Sequence, residues 1–298
     1  MFDEAQLYSP VTRRADGSVT VELSGDHPGA GDPVYRARRN EIAAAALDWV
    51  AGTPAPPIAY TEAEHEVWRI VSRELAVKHA RLACRAIREA GERLALPTDH
   101  VPGLDEVSAL LGPLTGFRYA PAAGLVPAPE FYGSLADGVF RSTQYVRHPA
   151  MPLYTPEPDI IHEVIGHGTL LADPALAELN RVVGRAARRC ETERGLDVLG
   201  RVFWFSVEFG VVWEGGVPCA YGAGILSSFG EIEEFRSAEI RPLDLAEMGT
   251  AEYDITHYQP VLYAAESMDH LTEVVGGFFA TFDDDVAERL VRSVAGAG

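Results

Sequence analysis

Apolar positions recur along most of this chain with the three-to-four-residue spacing of amphipathic helices, and alternating stretches are few. Asp32 followed by Pro33 reads as an N-cap and first-turn pair for PVYRARRNEIAAAALDWV, which Gly52 with Pro54, Pro56 and Pro57 brings to a stop. Thr61 and Glu64 form a capping box ahead of one long amphipathic helix expected from His65 to about Leu94. A short helix over LDEVSALLG comes next. In GFRYAPAAGLVPAPEFYG, glycines and prolines are too frequent for any long element. Thr155 is placed as the cap of a helix whose first turn holds Pro156, Glu157, Pro158 and Asp159 and whose body carries HEVIGH. Further helical patterns cover PALAELNRVVGRAARRC, LDVLGRVFWFSVEFG and ESMDHLTEVVGGFFATF, with one hairpin expected at VVWEGGVPCAYG. Residues 1–31 are polar and glycine-containing without a period, so they read as an N-terminal extension, a mobile arm or loosely packed segment. The expected fold class is therefore mostly α, a single domain over residues 32–298 with a small β-hairpin.

Composition narrows the class. With 47% apolar and 23% charged residues among 298, the chain has the make-up of a folded soluble protein, and no apolar run approaches a membrane span. The segment MFDEAQLYSPVTRRADG lacks a basic stretch followed by an apolar block, so no secretory signal is expected and a cytoplasmic location is. A net charge of −19 repels phosphate and anionic lipid, which argues against nucleic acid or a membrane as partner. Cys84, Cys190 and Cys219 lie far apart with no CxxC pair, so neither a disulfide framework nor a thiolate metal site is expected.

The chemistry concentrates in PDIIHEVIGHG, where His162 and His167 flank Glu163. Zinc peptidases use histidines four apart because those share a helix face. Here they are five apart, which on an ideal α-helix separates them by about 140°. Both reach one ion only if the helix widens, as in a π-type turn, or ends there, and Gly166 and Gly168 make such a departure cheap. A third ligand decides the matter. Glu208 is the one acid in the apolar, aromatic run RVFWFSVEFGVVW, and a buried carboxylate requires a cation or good hydrogen-bond partners. A metal and an arginine are both open as that partner. If the metal is right, the three form a two-His, one-carboxylate facial triad of the kind that leaves positions open on non-haem iron(II). Glu163 is open as well: a peptidase base, a pocket-lining acid, or a paired helix acid.

These residues and their neighbours resemble the pterin-dependent aromatic amino acid hydroxylases. The likeness runs through VYRARRNEI (34–42), GFRYAPAAGL (116–125), STQYVRHPAMPLYTPEPDIIHEVIGH (142–167), FWFSVEFG (203–210), YGAGILSSFGE (221–231) and HYQPVLYAAES (257–267), all in family order and together spanning about residues 33–281. The resemblance implies the family's catalytic domain, helices around an iron-containing cleft, in a compact bacterial form with no regulatory domain or tetramerising helix, hence a monomer. By motif, it implies that His162, His167 and Glu208 hold Fe(II) as the catalytic centre. Arg147 would pair with the substrate carboxylate, and Thr155, Pro156, Pro158, Trp204, Phe209, Ser227 and Ser228 would shape the amino acid pocket. Gly124, Leu125, Val126 and Phe131, with Glu163 and Phe203 on the same side, would hold tetrahydrobiopterin or a related tetrahydropterin.

The chain departs from the family pattern in three places. Gly168 and Thr169 stand where an apolar residue and proline usually follow the second histidine, Pro127, Ala128 and Pro129 replace polar residues of the pterin loop, and Val164 replaces Leu or Ile. Trp204, and Ile255 at the position of an acid in tyrosine hydroxylases, point to L-phenylalanine; tyrosine as product is what the family resemblance implies. Tryptophan or tyrosine as substrate, and the meta position of phenylalanine, are the alternatives within the family. Outside it stand a zinc peptidase with Glu163 as base and a non-catalytic binder of aromatic amino acids or pterin.

Overall fold

The computed structural model describes residues 9–255 and 257–295. The chain enters through a two-stranded antiparallel hairpin, β1 (Val11–Arg13) and β2 (Val19–Val21), and then α1 (Pro33–Leu47). Residues 9–31, read from sequence as a loose extension, carry this hairpin; residues 1–8 lie outside the described residues. Val19 and Val21 bury against Ala43 of α1 in a small apolar cluster of their own, and the Asn40 side chain accepts from the Val21 amide at 2.7 Å. The start of α1 is as expected: Asp32 accepts from the amides of Val34 (2.8 Å) and Tyr35 (3.1 Å), and Pro33 opens the first turn.

The long helix expected from His65 to Leu94 is in fact two. The capping box of Thr61 and Glu64 starts α2 (Glu62–Leu82), and α3 (Arg85–Leu94) follows after two extended residues. Ala83 and Cys84 leave the helix because they pair with Ala220, whose carbonyl accepts from the Cys84 amide at 2.9 Å. A helical period in the sequence carries no trace of that distant edge, so tertiary pairing overrides it.

Next come α4 (Leu104–Thr115), β3 (Arg118–Pro121), α5 (Ala128–Leu135) and β4 (Val139–Ser142), with β3 and β4 paired in parallel. The histidine-bearing helix begins at residue 160, runs as a π-helix over His162–Gly168 and ends as α6 (Thr169–Leu171). Two further helices, α7 (Pro174–Ala187) and α8 (Glu193–Phe203), lead into a second π segment, Trp204–Glu208.

The expected hairpin forms from β5 (Val211–Glu214) and β6 (Val217–Ala220), turning on Gly215 and Gly216, both at positive φ as a two-residue turn of this hand requires. It is half of a four-stranded sheet. After α9 (Ala223–Ser227), α10 (Glu231–Glu234), β7 (Glu239–Pro242) and α11 (Leu245–Met248), β8 (Val261–Ala265) pairs in parallel with both β5 and β7. The chain closes with α12 (Met268–Leu271), a third π segment (Thr272–Gly276), α13 (Gly277–Thr281) and α14 (Asp284–Ala295). One contiguous set of buried apolar side chains runs from Val67 to Ala287, with Trp68, Phe117, Phe140, Tyr221, Tyr263, Phe279 and Phe282 sealed inside. The three cysteines are unpaired, and among the described residues no helix is long and apolar enough to cross a membrane.

Candidate metal centre and its cleft

The five-residue spacing of His162 and His167 is met by widening the helix. In the π segment the backbone pairs i with i+5, so residues five apart come to one face. The two Nε2 atoms stand 3.1 Å apart. Gly166 is required here for a further reason: a Cβ on it would lie 2.7 Å from the Ala223 carbonyl oxygen, so close packing of α9 on the histidine helix excludes any side chain. The expectation that the histidines converge through a π-type turn is met.

Glu208 arrives from the second π segment, whose last turn is closed by the Phe209 amide donating to the Trp204 carbonyl at 2.9 Å. Its carboxylate lies 3.0 Å from His167 Nε2 and 3.8 Å from His162 Nε2. Glu163 is a rival, since it offers an oxygen within 4.8 Å of both imidazole ligand atoms. Its Oε1, however, already accepts from the Thr143 amide (3.4 Å) and hydroxyl (3.2 Å). Glu208 makes the shorter contacts and has no such competing donors among those recorded, so it is the better third ligand.

Hydrogen bonding sets the histidine tautomer. Ser227 Oγ sits 2.8 Å from His162 Nδ1 and 3.3 Å from the Gly224 carbonyl, so the hydroxyl donates to the carbonyl and accepts from Nδ1–H. That leaves His162 Nε2 as a bare lone pair facing the other two groups. Burial, reinforced by repulsion from His167, lowers the His162 pKa to about 4. Burial opposes charge on His167 too, but the adjacent Glu208 carboxylate prevails and raises its pKa, and His167 in turn holds Glu208 below the ordinary carboxylate range against burial. The two Nε2 atoms and the Glu208 carboxylate, His167 buried and the other two half-buried, thus converge on one spot. Two ligands about 2.1 Å from an ion and at right angles lie about 3.0 Å apart, so the 3.1 Å imidazole spacing suits a shared metal. The chemistry and geometry of the set fit a divalent metal ion.

Aromatic rings surround the centre. Phe140 lies 4.6 Å from the His167 ring, Phe131 on α5 meets Phe140 edge-on at 5.7 Å, and Phe203 meets Phe131 at 6.4 Å. Trp204 is held between Phe209 (4.5 Å) and Tyr253, which stacks on it at 4.3 Å and 16°. Glu163 is bound by Thr143, and burial lifts its pKa to about 7. The neighbouring loop of Gly124, Leu125 and Val126 borders a cavity of about 460 Å³ whose other walls include Ser9, Pro10, Val11, Trp49 and Arg141.

Some expected roles land differently. The helix begins at residue 160, and Asp159 stands before it, accepting from the His162 amide at 3.3 Å. Thr155 does not cap it. Its hydroxyl closes a local turn instead, donating to the Glu157 carbonyl at 2.7 Å, and Pro156 and Pro158 lie in the approach loop because proline disfavours helical geometry in the residue before it. Arg147 is buried in a bidentate pair with Asp159, through Nε (2.9 Å) and Nη2 (2.8 Å). A substrate carboxylate therefore has Nη1 and the second Nη2 hydrogen to use. Ser227 touches His162, as described, while Ser228 accepts from the Glu231 amide at 3.2 Å and starts α10.

Sequence reading missed a support group. Glu157, in the approach loop, accepts from Arg39 (2.7 Å) and from the Ser9 amide and hydroxyl (3.1 and 2.9 Å), with His27 at 3.4 Å. Glu157 and its arginine sit 118 positions apart, and no local pattern announces such a pair; the only sequence signal was Glu157 standing between two prolines.

A sequence profile of the biopterin-dependent aromatic amino acid hydroxylases matches residues 14–289. Among relatives, a phenylalanine 3-hydroxylase from Streptomyces coeruleorubidus is 48% identical over 269 residues, covering 90% of this chain and 96% of that protein. The phenylalanine-4-hydroxylase of Bos taurus is 42% identical over 270 residues, 89% of this chain but 60% of the bovine protein, so the chain spans about three fifths of its length. Among solved structures, the apo cold-active phenylalanine hydroxylase of Colwellia psychrerythraea 34H superposes with a TM-score of 0.74 at 28% identity, over 84% of this chain and 95% of the other. A cobalt-bound phenylalanine hydroxylase from Chromobacterium violaceum gives 0.72 at 27%, over 78% and 83%. This chain belongs to the biopterin-dependent aromatic amino acid hydroxylases, enzymes that are aromatic amino acid monooxygenases.

Proposed function

We propose that the protein hydroxylates the ring of L-phenylalanine with O2, using iron(II) held by His162, His167 and Glu208 and a tetrahydropterin held beside it. The observation that carries this reading is the convergence of two imidazoles and one carboxylate in a single cleft, 3.0 to 3.8 Å from one another. When bound, iron(II) would be the site of O2 activation and the tetrahydropterin would supply two electrons, the substrate ring supplying the other two as it gains one oxygen atom while the second leaves with the oxidised cofactor.

What the protein supplies is placement. Ser227 holds His162 in the tautomer that presents Nε2. Trp204 and Phe209 form an aromatic wall for the substrate ring, and Arg147, steadied by Asp159, offers its remaining N–H groups to the amino acid carboxylate. Thr155, Pro156 and Pro158 in the approach loop, and Ser228 at the start of α10, would shape that pocket. Phe131 provides a flat face for the pterin, the peptides of Gly124, Leu125 and Val126 its edge contacts, and Phe203 packs behind Phe131. With its pKa near 7, Glu163 holds a proton part of the time at its carboxyl oxygens, where a pterin N–H or O–H is its natural partner.

The ring position is the finer question. The family resemblance implied the para carbon, and the 40–42% identical phenylalanine-4-hydroxylases support it. The 48% identity to a phenylalanine 3-hydroxylase, over nearly all of that protein, favours the meta carbon, and we take meta-tyrosine as the product. Oxygen uptake with iron, tetrahydropterin and each aromatic amino acid, followed by chromatography against meta- and para-tyrosine, tests this. No oxygen uptake with phenylalanine would overturn the function, and para-tyrosine alone would overturn the ring assignment.

A further inference from the structure

The stretch between α11 and β8 forms part of the cleft wall without regular structure, so side chains must hold it. Tyr253 stacks on Trp204 from this stretch, and Ile255 follows two positions later. Gln259 occupies its end, 4% exposed, just before β8. Its Oε1 accepts from the Trp204 indole Nε1–H at 3.1 Å. Its Nε2 donates to the carbonyls of Asp254 (2.8 Å) and His257 (3.1 Å). Its backbone amide donates to Glu231 Oε1 at 2.9 Å, from α10.

These partners fix the orientation of the side-chain amide. The reverse orientation would set its oxygen against two carbonyls and its NH2 against the indole N–H. No other polar side chain recorded here binds Trp204. Stacking with Tyr253 and tilted contact with Phe209 (40°) leave the indole free to slide in its own plane, and a single hydrogen bond at its edge removes that freedom. Trp204 also opens the π segment that ends in Glu208, so the wall and the metal ligand share one backbone element.

We infer that Gln259 is a positioning residue of the reaction: it locks the Trp204 indole to the segment carrying Tyr253, Asp254 and His257, and thereby sets which ring carbon of the amino acid is presented for hydroxylation. The inference rests on the reading of the cleft as a phenylalanine hydroxylase. Neighbouring ring carbons differ by one aromatic bond length, so a small slide of the wall suffices to exchange them, and misplacement of about 1 Å is enough to change rates by orders of magnitude.

The test uses the full chain loaded with iron and tetrahydropterin. Gln259→Met keeps the side-chain volume and the backbone bond to Glu231 while removing the three side-chain hydrogen bonds. Wild type is assayed first: no ring hydroxylation there would overturn the proposed function and leaves Gln259 no role in it. With wild type active, Gln259→Met is expected to raise KM for phenylalanine about tenfold with a smaller change in kcat, and to shift the meta-to-para product ratio several-fold. More pterin is then oxidised per hydroxylated product. Unchanged KM, product ratio and coupling would overturn the inference. Should Gln259→Met fail to fold by thermal melting, Trp204→Phe removes the indole donor and leaves Gln259 in place. It is expected to shift the product ratio, and a ratio equal to wild type would overturn the inference. Where both variants fold, Gln259→Met added to Trp204→Phe should move the ratio little further, whereas full additivity would show that Gln259 does not act through Trp204.

Discussion

The metal cradle and two loops, those of Glu157 and Gly124, are built in different ways. The cradle is assembled by three short elements packed directly on one another: two π segments, each a single turn or so, carry all three ligands, and α9 supplies the supporting contact through Ser227, 65 positions from His162. The loops are held from far away in sequence. Glu157 in the approach loop is tied to Arg39, His27 and Ser9, and Gly124 in the neighbouring loop lies under Val11 of the entering hairpin. A ligand set closed by short-range geometry tolerates change elsewhere, whereas a binding surface assembled by residues 9–39 depends on that segment staying docked.

Removing a ligand should separate the two regions most sharply. Glu208→Ala is expected to abolish phenylalanine hydroxylation and to drop bound iron, measured by metal analysis after gel filtration, while far-UV circular dichroism stays that of wild type. Normal turnover in this variant would end the ligand assignment. The loop side answers next. Burial would raise the Glu157 pKa, but His27, Arg39 and the Ser9 amide prevail and lower it to about 2. A carboxyl depressed in the folded state stabilises fully above its unfolded value of about 4.5, and that stability is lost as pH falls from about 4.5 through about 2. Glu157→Gln should therefore cost on the order of 3 kcal/mol at pH 7, since it leaves Arg39 buried without its counter-charge. The gap between variant and wild type in urea melts should narrow as pH drops below about 4. An equal gap at pH 7 and pH 3 would mean that Glu157 is not ionised in the folded protein.

Ser227→Ala returns to the cradle with a milder change. The hydroxyl only orients His162, and removing an orienting partner of a metal-bound histidine weakens metal affinity roughly 10-fold to 100-fold. Iron titration should show that loss, with kcat at saturating iron nearly unchanged. Affinity equal to wild type would mean that α9 packing alone orients the ring.

The same contrast governs what could be read from sequence. His162, His167 and Glu208 were legible because each carries a local anomaly: a five-residue histidine spacing beside two glycines, and one acid in an apolar run. The helix starts at Asp32 and Thr61 and the Gly215–Gly216 hairpin were legible for the same reason, since caps and tight turns are written in adjacent residues. The break at Ala83 and Cys84 was not, because its cause is the Ala220 edge more than 130 positions away. Thr155 was taken as the helix cap because threonine before a proline and acids matches that pattern; Asp159, closer to the histidines, does the work. Arg147, expected to pair with a substrate carboxylate, is partly committed to Asp159. The Glu157 group and Gln259 escaped notice for the reason that Cys84 did: their partners lie across the fold.

The smallest effect expected is the one that tests how firmly the entering hairpin seats the loop of Gly124. A Cβ at this position would come within 2.8 Å of Val11 Cγ2 and 3.7 Å of the Ser9 carbonyl. The closer atom is the end of a side chain that can turn away, so Gly124→Ala should fold normally and shift the loop only slightly. If that loop binds the cofactor, the KM for tetrahydropterin should rise about threefold while the KM for phenylalanine and iron affinity stay put. Val11→Ala clears the space, so the double variant should recover most of the lost pterin affinity. Recovery would tie the hairpin to cofactor binding through this one contact. A rise in KM that Val11→Ala leaves untouched would place the cause within the loop itself, and no rise at all would mean that the pterin does not rest on Gly124.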